Sequence, residues 1–131
     1  MRALVTGATG FIGYHVARRF REKGHDVRVL HRKSSRLDQI QDLDAERVVG
    51  DVGDAASIEA AAKGCEALIH CAGRYPVLSF GRARQVDQAV LEMRGLLDAA
   101  KRAGVRRVVY TSTLSTIGHA TDGQAATEAT P

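Results

Sequence analysis

The 131-residue sequence contains little cysteine, little proline and no tryptophan. Its two cysteines, Cys65 and Cys71, form neither a Cys-x-x-Cys pair nor a disulfide framework, and further metal ligands do not surround them. We therefore expect free thiols in a reducing compartment, the cytoplasm, and no metal site. Apolar runs stay well short of the roughly 18 residues that span a bilayer, so no membrane partner is expected. Because Met1 and Arg2 lead directly into a strand pattern, we expect no signal peptide.

The formal net charge of +4 and the pI of about 9.4 raise the question of a nucleic-acid partner. The basic residues group around the ends of two predicted helices, where cations interact favourably with the helix dipole. These residues are Arg18, Arg19, Arg21, Lys23, Lys101, Arg102, Arg106 and Arg107. We therefore expect no nucleic-acid partner. A nucleic-acid module stays an alternative, identifiable by DNA binding that disappears as the salt concentration rises.

Short apolar segments alternate with helical patterns along the chain. The predicted strands are residues 2–6, 26–31, 46–50, 67–72 and 106–112. Strands separated by helices form parallel sheets with right-handed crossovers. The sequence therefore predicts an α/β fold of the Rossmann type, a doubly wound parallel sheet in the order 3-2-1-4-5, with no clear element over 113–131.

The helical patterns lie between these strands. A helix over 11–23 carries Ile12, Val16 and Phe20 on one face. Asp54 is placed to cap the N-terminus of a second helix. A third helix, over 86–103, is indicated by apolar residues at i, i+4, i+7, i+11 and i+14, which are Val86, Val90, Met93, Leu97 and Ala100.

Three glycines, Gly7, Gly10 and Gly13, occur at three-residue intervals where the first strand passes into the first helix. Gly7 permits a sharp turn, and Gly10 leaves space for a pyrophosphate at the helix N-terminus. Gly13 permits close packing of the helix on the strand. A glycine triplet between a strand and a helix of an alternating chain is typical of dinucleotide binding.

The segment "TGATGFIG" (6–13) resembles the nucleotide fingerprint of the extended short-chain dehydrogenase/reductases, the NAD(P)-dependent epimerase/dehydratase family. The similarity continues in family order through "ALIHCAG" (67–73) and "LLDAAKRAGVRRVVYTST" (96–113). The segments "HRKSS" and "HCAGRYP" are most similar to the dihydroflavonol-reductase-like and sugar-nucleotide-epimerase-like branches. The resemblance implies that a dinucleotide contacts the fingerprint residues Gly7, Thr9, Gly10, Phe11, Ile12 and Gly13.

The segment after the second strand contains Arg32, Lys33 and Arg36, but the carboxylate that would bind the ribose diol of NAD does not stand at the strand's end. Guanidinium groups pair with a 2′-phosphate, so we predict NADP as the cofactor, with NAD as the alternative. The resemblance further implies cofactor contacts from five residues after the third, fourth and fifth strands. These are Asp51, Val52, Ala72, Gly73 and Thr111. A turn or cap aspartate is the alternative for Asp51, and a buried structural role is expected for His70.

The resemblance implies hydride transfer between nicotinamide and a carbonyl or hydroxyl substrate. It places the hydroxyl that holds the substrate oxygen on Thr113, with Ser112 next, whereas the alternative is two ordinary strand-end residues. The family also uses a Tyr-x-x-x-Lys pair, which this sequence lacks. We therefore expect residues 1–131 to be the N-terminal NAD(P)-binding portion of an oxidoreductase, epimerase or dehydratase, truncated after the fifth strand. A non-catalytic dinucleotide sensor is the alternative.

The remaining expectations concern substrate and assembly. A sixth strand, the helix bearing the Tyr-Lys pair and the C-terminal substrate region are expected to be absent from these residues. Residues 73–85 are expected to border a small-molecule substrate pocket, because ligands bind outside the carboxyl ends of parallel strands. The resemblance also allows a homodimer, since relatives often pair through two long helices.

Overall fold

The computed structural model describes residues 1–73, 82–113, 116, 125–127 and 129–130, with backbone alone at 82 and 83. Its strands are β1 (Arg2–Thr6), β2 (Asp26–His31), β3 (Glu46–Val49), β4 (Ala67–His70) and β5 (Arg107–Tyr110). Its helices are α1 (Phe11–Glu22), α2 (Ala55–Ala62) and α3 (Arg82–Arg102), and a 3₁₀ helix spans Leu37–Ile40. Three strands end earlier than predicted, β3 by one residue and β4 and β5 by two.

All five strands are parallel in the order β3-β2-β1-β4-β5, which confirms the predicted topology. The register pairs Thr6 with both Leu30 and His70, and His70 with Tyr110. The strands therefore end at nearly the same level along one edge of the sheet. The chain changes direction across the sheet between β1 and β4, and this switch point is where open α/β sheets bind ligands.

Alternating side chains of the strands build a core on each face of the sheet. On one face, Ala3 and Val5 of β1 pack with α1 and with the segment that follows β2. On the other face, Leu4 and Leu68 pack with α2 and α3. The central strands β1 and β4 are covered on both faces and are nearly continuous apolar runs, as expected for a parallel sheet, whereas the edge strands β3 and β5 are largely exposed.

The start of α2 agrees with its predicted cap. The Asp54 carboxylate accepts hydrogen bonds from the backbone N–H of Ala56 at 3.1 Å and of Ser57 at 3.3 Å, and from the Ser57 hydroxyl at 2.8 Å. These donors, the Ser57 hydroxyl first, hold the pKa of Asp54 below its usual value. The cap fixes the point at which the chain leaves β3 and enters α2.

The apolar repeat that indicates α3 is only partly buried. Val86, Val90 and Leu97 are exposed, whereas Leu96, Ala99 and Ala100 are buried. The buried positions of α3 share a core cluster with Ala61 and Ala62 of α2, so small side chains let the two helices approach closely. Packing against α2 therefore sets the rotation of α3, and the most regular apolar repeat of the helix does not.

The sequence analysis missed the 3₁₀ helix and its contribution to the core. Ile40 is fully buried, and Leu43 beside it joins the same cluster as the α1 face of the sheet. The Arg47 guanidinium of β3 donates hydrogen bonds to the carbonyl oxygens of Ile40 at 3.0 Å and Gln41 at 3.4 Å. The polar segment after β2 is thus attached to the sheet by an apolar anchor and by a cationic one.

We predict that Ile40→Ala lowers the free energy of unfolding by about 2–4 kcal/mol, because it opens a cavity in a fully buried position. Val49→Ala, at a residue 54% exposed on the edge strand β3, serves as the control and should cost less than about 1 kcal/mol. Urea denaturation followed by circular dichroism measures both values. Similar losses in the two variants would contradict the placement of Ile40 in the core.

Candidate functional site

The turn between β1 and α1 lies against the chain that leaves β4. Gly7 has a φ of +76°, a conformation that favours glycine. A Cβ atom at Gly7 would lie 2.6 Å from the backbone nitrogen of Ala72 and 2.8 Å from the carbonyl carbon of Cys71. Both the backbone angle and the neighbouring chain therefore require glycine here.

Gly13 closes the same turn from the helix side. A Cβ atom at Gly13 would lie 2.2 Å from the carbonyl oxygen of Gly7 and 2.8 Å from the backbone nitrogen of Ala8. These distances are far below van der Waals contact, so the first turn of α1 rests directly on the backbone of the preceding turn. The third glycine of the triplet thus serves close packing.

Gly10 differs from the other two glycines because the space beside it is open. It is the exposed N-cap of α1, with φ −103° and ψ 169°, and a Cβ atom would approach only the Gly7 carbonyl oxygen, at 3.4 Å. No side chain caps this helix, and its first turn contains no acidic residue. The amides of Phe11, Ile12 and Gly13 lack intrahelical partners by helix geometry, so an anion can approach them.

The basic segment after β2, residues 32–36, lies at the same edge of the sheet. A short turn holds Arg32: its N–H donates to the Ser35 hydroxyl at 3.1 Å, and its carbonyl oxygen accepts from the Ser35 N–H at 3.0 Å. Arg32 and Lys33 are exposed. Arg36 is exposed as well, but its guanidinium pairs with Asp38, with Nη2 at 2.8 Å from Oδ2. Three predicted cations therefore share one segment, and one of them already has a carboxylate partner.

Asp51 follows β3 at this edge and occupies a turn. Its Oδ1 accepts the N–H of Gly53 at 2.8 Å, and its carbonyl oxygen accepts the N–H of Asp54 at 3.1 Å. Val52 is half-buried and lines a cavity of about 140 Å³ together with residues of α3. Asp51 therefore has the turn role that the sequence analysis named as its alternative, and this role engages one carboxylate oxygen.

The ends of β4 and β5 bring the remaining predicted residues to the edge. Ala72 and Gly73 follow β4, with Ala72 against Gly7. The Thr111 hydroxyl donates to Cys71 Sγ at 3.4 Å, and Ser112 Oγ lies 3.5 Å from the Thr116 hydroxyl. Ser112 and Thr113 are exposed at the end of β5. Most of the predicted substrate border, residues 74–81, lies outside the described residues.

His70 lies directly below this edge and is buried. Its Nδ1 is 2.7 Å from the hydroxyl oxygen of the fully buried Thr6, and its ring stacks on Tyr110 with centroids 5.5 Å apart. Burial lowers the pKa of His70 below its usual 6.5, because desolvation disfavours the charged imidazolium. The expected structural role agrees with this geometry. The sequence analysis missed Thr6 as its partner, since only strand pairing brings together residues 64 positions apart.

The part of the chain that the structure describes contains no cluster of three His, Cys, Asp or Glu side chains arranged to hold a metal ion. It also contains no helix of the length and apolarity that crossing a membrane requires.

Known proteins are similar to this chain in sequence and in fold. A model of the NAD dependent epimerase/dehydratase family matches residues 3–131. A Synechocystis sp. protein provisionally named dihydroflavonol 4-reductase is 41% identical over 124 residues, which cover 95% of this chain and 36% of that protein. The crystal structure of gox2253 superposes with a TM-score of 0.86 at 40% identity, covering 98% of this chain and 39% of that one.

A short-chain dehydrogenase/reductase superfamily protein of Agrobacterium tumefaciens, crystallised with bound NAD, superposes with a TM-score of 0.69 at 33% identity. That match covers 86% of this chain and 33% of the other. The chain therefore spans between 33% and 39% of the length of these three proteins.

We predict that His70 makes stability fall with acidification. Since burial lowers its folded-state pKa, the unfolded chain binds the proton more readily once the pH falls below 6.5, and folding then loses free energy. His70→Asn, whose amide can still bond Thr6, should reduce the loss between about pH 7.5 and pH 5.5. Urea midpoints at the two pH values measure it. The exposed His15→Asn control should keep the full loss, and the same full loss in His70→Asn would refute the prediction.

Proposed function

Since the chain belongs to the NAD dependent epimerase/dehydratase family, we propose that residues 1–131 form the NADP-binding domain of a reductase, epimerase or dehydratase. The family makes the chain a dinucleotide-binding domain of the oxidoreductase type. The preference for NADP, the assignment of residues and the reaction are proposals. The observation that carries the proposed dinucleotide site is the uncapped, unobstructed N-terminus of α1 at the switch point of the sheet.

The pyrophosphate of the cofactor would bind at the start of α1. Gly10 fits the group because its missing side chain leaves open space, and the amides of Phe11, Ile12 and Gly13 face the helix N-terminus as donors. The backbone of Thr9 belongs to the same turn. No acidic side chain in the first turn opposes an anion. Geometry and charge therefore both favour a diphosphate in this place.

The adenosine end would lie toward β2 and β3. Arg32 and Lys33 are exposed cations that make no ion pair within the described part of the chain, and they supply charge for a 2′-phosphate. Arg36 adds a third cation, which Asp38 shares. The second carboxylate oxygen of Asp51 would accept a hydrogen bond from the adenine amino group, and the backbone of Val52 would contribute to the same contact. The clustered cations support NADP over NAD.

The nicotinamide end would lie toward β4 and β5, where Ala72, Gly73 and Thr111 border the turn. Bound there, the nicotinamide supplies hydride transfer to or from a carbon that bears oxygen. The Thr113 hydroxyl would hold the substrate oxygen, and Ser112 would contact the cofactor side or replace it. A Tyr-x-x-x-Lys pair does not occur in these residues, so the proposal assigns its acid–base group to no residue of this chain.

We predict that Gly10→Val abolishes NADP binding and preserves the fold. Valine readily adopts the extended backbone of Gly10, and its Cβ meets only one atom, at 3.4 Å, but its side chain fills the phosphate approach. Isothermal calorimetry measures binding, and thermal unfolding tests the fold. Gly13→Ala is the contrasting variant and should unfold, because its Cβ would lie 2.2 Å from the Gly7 carbonyl oxygen. NADP affinity unchanged in folded Gly10→Val would defeat the proposal.

We predict that Arg32→Asp shifts the preference from NADP toward NAD. The substitution removes a cation from the proposed 2′-phosphate site and adds a carboxylate that repels phosphate and can bind the ribose diol. Calorimetric dissociation constants for both dinucleotides give the ratio. Lys63→Asp is the control, because it makes the same charge change at the C-terminal end of α2, away from the proposed site. It should leave the ratio of the NADP and NAD dissociation constants near the wild-type value. An unchanged ratio in Arg32→Asp would exclude Arg32 from the site.

A further inference from the structure

A carboxylate, Asp38, lies two residues beyond the basic segment 32–36 and pairs with one of the cations proposed for the cofactor. The Arg36 guanidinium contacts the Asp38 carboxylate through two atoms, Nη2 to Oδ2 at 2.8 Å and Nε to Oδ1 at 3.4 Å. This two-point geometry is the one by which guanidinium groups bind carboxylates and phosphates. Asp38 therefore occupies the guanidinium N–H groups with which Arg36 would bind a phosphate.

Of this pair, Asp38 has the better-anchored backbone. It lies in the 3₁₀ helix Leu37–Ile40, which the fully buried Ile40 anchors in the core. The Arg47 guanidinium of β3 binds the carbonyl oxygens of the same helix at its other end. Arg36 precedes the helix, and its side chain is 76% exposed. The backbone at Asp38 is thus anchored, and the Asp38 side chain is less exposed, at 51%, than the longer Arg36 side chain.

The ion pair with Asp38 distinguishes Arg36 from the other two cations of the basic segment. The neighbouring Arg32 and Lys33 make no ion pair among the residues that the structure describes. Arg36 is the cation that is already neutralised. The guanidinium beside it holds the pKa of Asp38 below its usual value, so the carboxylate stays ionised near neutral pH.

We infer that Asp38 is a specificity-determining residue. By pairing with Arg36, it weakens binding of the NADP 2′-phosphate and so reduces the difference in affinity between NADP and NAD. The inference rests on the proposed function. A 2′-phosphate that binds Arg36 must break the ion pair between Arg36 and Asp38, or it must bind close to the negative carboxylate of Asp38. Either event lowers the affinity for NADP. NAD has an uncharged ribose diol at this position, so the carboxylate does not oppose it.

The experiment measures calorimetric dissociation constants of NADP and NAD for the wild-type full chain and for Asp38→Asn, which removes the charge and keeps the shape. The NADP dissociation constant should fall about three- to fivefold, the size of an exposed charge interaction. The NAD constant should stay within about twofold, and thermal unfolding confirms the fold. Arg36→Gln alone should weaken NADP binding, because it leaves the Asp38 carboxylate without its cation, and in the Asp38→Asn background it should remove the gain.

Asp42→Asn is the matched control, because Asp42 follows the same 3₁₀ helix but accepts its hydrogen bond from Tyr14. It should leave the ratio of NADP to NAD affinity unchanged. The inference is overturned by an unchanged ratio in Asp38→Asn, by an equal gain in Asp42→Asn, or by a gain that survives Arg36→Gln. If the wild-type chain binds neither dinucleotide, the proposed function fails and the inference fails with it, whereas binding with an unaltered ratio overturns the inference alone.

Discussion

Two backbone contacts without room for a side chain hold the candidate site together. The first turn of α1 rests on the Gly7 carbonyl at Gly13, and Gly7 in turn rests on the backbone of Ala72. These contacts fix the N-terminus of α1 against the end of β4 at the switch point of the sheet. The direction of the free helix amides, and thus the place of any bound diphosphate, depends on them.

The arrangement of the strands in the sheet brings distant segments of the chain together at this turn. Because parallel strands end at one edge, the basic segment after β2, Asp51 after β3 and the hydroxyls after β5 all lie at the edge that contains the glycine turn. Cations lie on the β2 side and small or hydroxyl-bearing residues on the β4 and β5 side. The buried Thr6–His70 hydrogen bond joins the two central strands directly below.

Local patterns predicted local structure well. The glycine triplet identified the β1–α1 turn, Asp54 identified the start of α2, and the alternation of strands and helices yielded the strand order. The rotation of α3 was not predicted, because it depends on the contact with α2 and the helix's own repeat does not specify it. The core position of Ile40 was missed, because nothing in its polar surroundings marks a single buried isoleucine.

The sequence by itself determined the fold class, the glycine turn and the supply of cations after β2, since these follow from backbone freedom, apolar periodicity and charge at neighbouring positions. Only the tertiary structure decided that Gly7 abuts Ala72, that His70 bonds Thr6 and that an anchored Asp38 holds Arg36. The first two contacts join residues more than 60 positions apart. The third depends on a helix that the core holds in place, and a linear pattern carries no information about which side chains the core fixes and which it leaves free to move.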